Sequence, residues 1–364
     1  MTSLAADPSP FRGNRYRTTL ELAQWHAQTH PEAAIEPHIP IVDGHHHLFG
    51  TPTDTHFYRR EDLAHDLDSG HKIIGTVYVE AFSSGWRTDG PESLRSVGEV
   101  DMICQASANP VQLATGPCQL AAGVVAHVDL RLGDQVAEVL EAHLVAGQGK
   151  LRGVRQHATN TSGDIGRYVF NAPEHLLEDS KFRRGFGHLQ RHRLSFDVSL
   201  FHTQLNELAD LADAFPETLI VLNHAGMALG VAEYRSRRTE VQTAWSRDMR
   251  ALAKRPNVNL KIGGLGMPLL GHGFERGPCP ASSAQLAQAW QATVDVCIDA
   301  FGPQRCMFES NFPVDKQSCT YAALWNAFKL ATQALSREDR MALFYKTACR
   351  TYRLEQLEAL GDAA

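Results

Sequence analysis

The chain has 364 residues, 43% of them hydrophobic, and its 35 Lys and Arg against 41 Asp and Glu give a formal charge of −6. That is enough apolar material for a large core, and with neither a Lys/Arg cluster nor a basic amphipathic helix, nucleic acid and membrane are not expected partners. Seven scattered cysteines without a C-x-x-C pair exclude a zinc ribbon or disulfide framework, no run approaches a membrane span of about 18 apolar residues, and the first residues carry no apolar signal segment, so a cytoplasmic protein acting on a small molecule is expected, with a homo-oligomer left open.

Residues 1–36 are polar and Pro-containing and read as an extension that wraps or frays, with a helix over Thr19–Thr29. Short apolar runs then alternate with helical patterns across 37–355, read as one domain followed by a tail at 356–364. The runs are Pro40–His45, Ile73–Glu80, Ala122–Val128, Leu151–Arg155, Leu194–Leu200, Thr218–Asn223, Val258–Ile262 and Arg305–Glu309. Their length and Val/Ile/Leu/Phe content suit strands buried on both faces. Gly133–Ala146, Gln204–Phe215 and Ala284–Phe301 carry apolar stripes at helical spacing. Eight such βα units predict an α/β fold, a (β/α)8 TIM barrel with an N-terminal extension and long βα loops. A doubly wound sheet is the rival, but no Gly-rich phosphate turn follows the first strand. Two long connections, Ala158–Ser180 and Gly264–Ser283, leave C-terminal strand ends, where barrel enzymes keep their chemistry.

Candidate site residues sit at the ends of these strands. In Ile41-Val42-Asp43-Gly44-His45-His46-His47, strand alternation places Asp43, His45 and His47 on one face and His46 on the other. Two imidazoles so spaced can bind one metal ion or grip one substrate. Arg155 ends the fourth run as a candidate clamp for a substrate carboxylate, with a structural ion pair as the alternative. Arg152, three residues earlier, must face the other way. His224 ends the sixth run, before a Gly that permits a tight turn. Lys261 interrupts an apolar run and, if it faces inward, needs an anionic partner: a protein carboxylate or the substrate. Glu309 and Asn311 share a face near the end of the last run.

In this order the segments D-x-H-x-H, G-V-R, L-S-F-D, N-H-A-G, N-V-x-L-K and R-x-M-F-x-S-x-F-P-V resemble the amidohydrolase superfamily from about His38 to Leu354. The resemblance is to the amidohydrolase-2 branch that includes pyrone-dicarboxylate hydrolase and sugar-acid lactonases. It implies that His45, His47 and His224 are metal ligands or substrate binders, with Glu309 as a fourth ligand, and that Arg155, Lys261 and His47 contact substrate. It also exposes a departure: the family's eighth-strand Gly-Ser-Asp reads Glu309-Ser310-Asn311, and Asn cannot act as a base at neutral pH. Glu309, Asp315 or a histidine must replace the missing Asp; Glu309 is preferred, with His224 and Asn311 completing the catalytic set. One divalent ion, Zn2+ by its ligand chemistry, suits three His and a carboxylate, with metal-independent action as the alternative. His202 is expected to be a solvated loop residue, or else a further ligand. The implied reaction is hydrolysis of a lactone or another cyclic or conjugated ester or amide of a small carboxylated metabolite. Non-oxidative decarboxylation and a catalytically inactive binding protein are the alternatives.

Overall fold

All eight expected runs become strands of one parallel barrel in the computed structural model, which describes residues 11–81 and 84–363. The strands are β1 (Pro40–His46), β2 (Lys72–Val79), β3 (Val111–Leu113), β4 (Gly116–His127), β5 (Leu151–His157), β6 (Ser195–Ser199), β7 (Ile220–Leu222), β8 (Val258–Ile262) and β9 (Cys306–Phe308). The order is β1-β2-β4-β5-β6-β7-β8-β9, all parallel. β3, which the sequence pattern did not predict, adds antiparallel to β4. The ends meet just beyond β9, where Asn311 N donates to His45 O (2.9 Å) and His47 N to Phe312 O (2.8 Å). This closure rules out the doubly wound sheet.

The period-two pattern sorts the strands into two layers. Ile41, Tyr78, Val154, Phe196, Leu222, Leu260 and Phe308 pack outward against the helices. Val42, Val77, Val79, Val125, Val221 and Met307 fill the barrel. Polar residues interrupt the inward set, among them Asp197, Lys261 and Arg155. The helix Ser283–Phe301 starts at a capping box in which Ser282 accepts from Gln285 N, and it buries Leu286, Trp290 and Val294, the stripe read from sequence.

One expectation about the termini needs correction, and one pair of alternatives is decided. The tail is part of the barrel: the helix Glu355–Asp362 drives Leu357 into the inner cluster beside Val42 and Val77, against a position on Gly75 where any Cβ would lie 2.3 Å from Leu357 Cδ1. The extension from residue 11 onward wraps rather than frays. Its helix Thr19–His26 is held by a Thr18/Glu21 capping box, Trp25 Nε1 donates to Gly277 O (2.9 Å), and Arg17 N donates to Gln317 Oε1 (2.9 Å). Residues 1–10 of that extension lie outside the described residues. No helix among the described residues is long and apolar enough to cross a membrane, and all seven cysteines are unpaired.

Burial of imidazoles sets the acid response. Burial first of all lowers His46, His71 and His143 to about 3, and His26, His157 and His272 to about 4. Burial raises three carboxyls, Asp43 to about 6, Glu99 to about 7 and Asp315 to about 8. Between pH 6.5 and about 4 the unfolded chain binds more protons at the six histidines, while the folded chain binds more at the three carboxyls. The histidines prevail, so stability is expected to fall as the pH drops through this window. Urea midpoints at pH 7.5, 6 and 5 check it; a midpoint that holds or rises on acidification contradicts the sign.

Candidate active site

Three inward-facing histidines meet at the C-terminal rim. A register shift between Asp43 and His46 puts Asp43 opposite Thr76 and His46 opposite Tyr78. The extra residue breaks strand alternation. Asp43 therefore does not share the face of His45, contrary to the sequence-based expectation. It accepts from Ser310 N (2.8 Å) and from the hydroxyl of Tyr321 (2.9 Å) on the outer helix Tyr321–Ala331. His46, also turned outward, meets Thr76 Oγ1 at 2.9 Å. Both anchor the bulge that aims His45 and His47 into the barrel.

His224 follows β7 in left-handed backbone, with φ of 55°, 50°, 65° and 33° at His224, Ala225, Gly226 and Met227. Such a run is costly for non-Gly residues and persists only when its surroundings hold it. Glu309 holds it, accepting from His224 N (3.2 Å) and from Nδ1 (2.7 Å). Two glycines make the room. A Cβ on Gly263 would lie 2.2 Å from Glu309 Cγ, and one on Gly264, at φ 62°, would lie 2.7 Å from the His224 ring. Gly264→Ala is therefore expected to displace the imidazole, with a loss of about 1–3 kcal/mol of stability from strain and a larger loss of turnover. Denaturation and rate measurements on the same preparation check this; wild-type turnover in the variant contradicts it.

Glu309, fully buried, is the hub. Its second oxygen lies 2.8 Å from His45 Nδ1. That oxygen has no hydrogen-bond partner among the described residues, and Lys261 Nζ, which only donates, reaches the same nitrogen at 3.5 Å. His47 Nδ1 faces the carbonyl of Val79 at 2.9 Å. A carbonyl only accepts, so this nitrogen is protonated, as is His224 Nδ1 against Glu309 Oε1. The hydrogen bonds thus assign Nδ1–H to His47 and His224 and leave their Nε2 atoms as lone pairs. The Nε2 atoms of His45 and His47 lie 3.1 Å apart. Burial first, then Lys261 for His45 and Arg155 for His47, holds both rings well below the ordinary imidazole pKa, hence neutral.

Glu309 as the direct base needs correction, because it is fully buried behind the rings; as a metal ligand it keeps a place, since its Oε2 has no hydrogen-bond partner among the described residues and His45, His224 and Glu309 bring ligand atoms within 4.8 Å of one another. Arg155 is likewise turned away from its expected role. Its Nε donates to Glu80 Oε1 (2.7 Å) and one terminal nitrogen to Glu80 O (2.6 Å); the other lies 3.3 Å from His45 Nε2. His157 closes on the same Glu80 oxygen at 3.1 Å. The fork is taken by protein, leaving one N–H edge near the cavity. Lys261 is fully enclosed and pairs with Asp197 at 2.8 Å. Tyr352 Oη donates to the same Asp197 oxygen at 2.7 Å. Lys261 is thus the floor beneath His45, not a substrate contact. Asn311 lies at the mouth in left-handed backbone, φ 53°, its Nδ2 donating to Asp315 Oδ1 at 3.0 Å. Asp315 is buried under Gly266 N (2.9 Å) and does not reach over the mouth. His202 is buried, its Nδ1 accepting from Leu229 N at 3.4 Å, and is neither solvated nor a ligand of this cluster.

A cavity of about 360 Å³ opens above this floor. His47, Arg155, His157, His224 and Asn311 face it, and the two long loops supply Tyr168, Phe170, Met267 and Leu269. Residues 12–15 form part of its wall. Glu80 and Asp197 were not predicted as site residues. Each ends or interrupts an apolar strand, the signal that singled out Lys261.

The donor set can be tested against a divalent ion. Two imidazole nitrogens at about 2.0–2.1 Å from one zinc in tetrahedral geometry stand about 3.3–3.4 Å apart, close to the 3.1 Å observed between His45 and His47. His45, His224 and Glu309 also bring one ligand atom each to within 4.8 Å of one another, and Glu309 Oε2 is buried without a hydrogen-bond partner among the described residues. The residues fit a divalent ion.

A closed parallel barrel with histidines at the end of β1 and after β7 defines an amidohydrolase. Residues 42–354 match the amidohydrolase-2 family, and the chain belongs to it, as a hydrolase-class enzyme. Over 324 residues it is 36% identical to the uncharacterized protein y4mH of Sinorhizobium fredii, covering 87% of this chain and 99% of that one. It is 31% identical over 250 residues to the L-fucono-1,5-lactonase of Burkholderia multivorans, covering 68% of this chain and 76% of that one. Crystal structures of a Burkholderia multivorans amidohydrolase, one with HEPES and one with zinc bound, superpose with TM-scores of 0.65 and 0.64 at 24% identity, over 86% of this chain and 99% of theirs.

Proposed function

We propose that the enzyme opens a lactone, or a comparably activated ester, of a small carboxylated molecule, with His224 as the base. The observation that carries this is the hydrogen bond from His224 Nδ1 to the buried Glu309 carboxylate, 2.7 Å long. It fixes the tautomer that leaves His224 Nε2 as an acceptor at the cavity and places a negative charge behind the ring that becomes imidazolium. In this scheme a water held by His224 Nε2 and the Asn311 amide oxygen attacks the carbonyl, and the proton passes to His224. The remaining N–H edge of Arg155 faces the oxyanion. As the intermediate collapses, the ring C–O bond breaks and His224 returns the proton to the leaving alkoxide, giving a hydroxy acid. His45 and His47 would hold a divalent ion, which when bound supplies Lewis-acid polarisation of the carbonyl. The 31% identity to a lactonase supports the reaction class.

A panel of carboxylated lactones and esters in 18O-labelled water tests the reading. The expected product carries one labelled oxygen in its new carboxylate and no CO2 is released. Release of CO2 without incorporation of the label replaces hydrolysis by decarboxylation, and no turnover across the panel overturns the proposal.

A further inference from the structure

The guanidinium nearest the histidines is neutralised by Glu80, so Arg155 leaves the cavity without a free cation at its inner end. The outer end differs. Arg12 and Arg15 stand in its wall, and no carboxylate of the described residues pairs with either side chain. The chain that carries them is fastened on both sides. Phe11 packs edge-on to Tyr168 at 5.8 Å, and Gly13 lies against the same residue, 3.5 Å from its Cβ to the glycine's Cβ position. Asn14 Oδ1 accepts from Leu269 N at 3.3 Å while its Nδ2 contacts Met267 Sδ at 3.7 Å. Arg17 donates to Glu275 O at 2.5 Å. Residues 11–17 are therefore a strap joined to both long βα loops, and Arg15 is further placed over the ring of Phe49 at 4.9 Å. Between the strap and the histidines the walls are mostly apolar, with Phe49, Phe170, Phe201, Met227, Leu269 and Val314 against the polar Thr159 and Ser199. A body rich in hydroxyl groups would lose its hydration there with few partners, whereas an unsaturated or aromatic body would not.

We propose that Arg12 and Arg15 bind the ionised carboxylate of the substrate at the outer end of the cavity, so that the strap selects lactones or esters with an apolar, unsaturated body and an acid group remote from the scissile carbonyl. The inference rests on this cavity being the substrate site proposed above. A guanidinium pair free of protein carboxylates is the recognition element such an acid requires.

Calorimetric binding of 3-phenylpropionate and of its neutral amide to the full chain tests it. Wild type is expected to favour the acid by about tenfold or more, and R12Q/R15Q to lose that preference with an unchanged melting temperature. Arg247, exposed on a distant helix and paired with Asp248, is the charge control: R247Q is expected to keep the preference. An acid preference that survives R12Q/R15Q, or that wild type lacks, overturns the inference. If the preference follows Arg12 and Arg15 but the lactone panel gives no turnover, the anion subsite stands and the hydrolytic reading falls; turnover with no role for these arginines gives the converse.

Discussion

Glu309→Gln is expected to lower kcat by about 10²–10⁴-fold, the range that a correctly placed general base contributes, with little change in KM. Glu309 Oε1 accepts from His224 Nδ1, and Oε2 lies 2.8 Å from His45 Nδ1. A glutamine offers one acceptor and one NH2. Where the NH2 faces His224, that ring must turn over or switch tautomer, presenting Nε2–H to the cavity, and the base is lost. The variant also lacks the charge that stabilises a protonated His224. Steady-state kinetics on folded E309Q check this, and a kcat within a fewfold of wild type refutes the role assigned to Glu309.

Lys261→Met carries the largest expected effect on stability. Lys261 and Asp197 are both fully buried and 2.8 Å apart. Asp197 is also bound by Tyr352 Oη and, at 3.2 and 3.3 Å, by Ser195 Oγ and Asn223 Nδ2. Neutral donors remain when the lysine goes, but they do not balance the charge. Removing one partner of a buried pair typically costs about 3–5 kcal/mol, and replacing both by apolar groups of similar volume costs far less. K261M is therefore expected to show a markedly lower urea midpoint, and K261M/D197L to recover most of the loss. Equal destabilisation of single and double variants would place the cost in packing rather than in the stranded carboxylate.

Much of the architecture was legible because each barrel strand is an apolar run closed by turn chemistry. Leu194–Leu200 and Val258–Ile262 could be read with no knowledge of their neighbours. The three histidines were legible because polar groups at the ends of such runs are conspicuous. What escaped has a common cause, the dependence of a side chain's role on residues distant in sequence. Asp43 alternates with His45 on paper, yet an extra residue in β1 turns it to Tyr321, 278 positions away. Arg155 and Lys261 read as substrate groups because Glu80 and Asp197, their partners, lie on other strands. Leu357 reads as tail until the open end of the barrel is seen to need a plug. The strap was unreadable for the same reason: polar residues before the first strand carry no periodic pattern, and Arg12 and Arg15 acquire a role only where the loops after β5 and β8 receive them.

The central claim is that His47 and His224, distant in the chain, present Nε2 lone pairs to one cavity. Nitrogen-15 NMR of histidine-labelled protein at pH 7 tests it most directly, with His47→Gln and His224→Gln giving the assignments. The account predicts Nδ1–H on both rings, with Nε2 free to accept. A protonated Nε2 on His224 would contradict it.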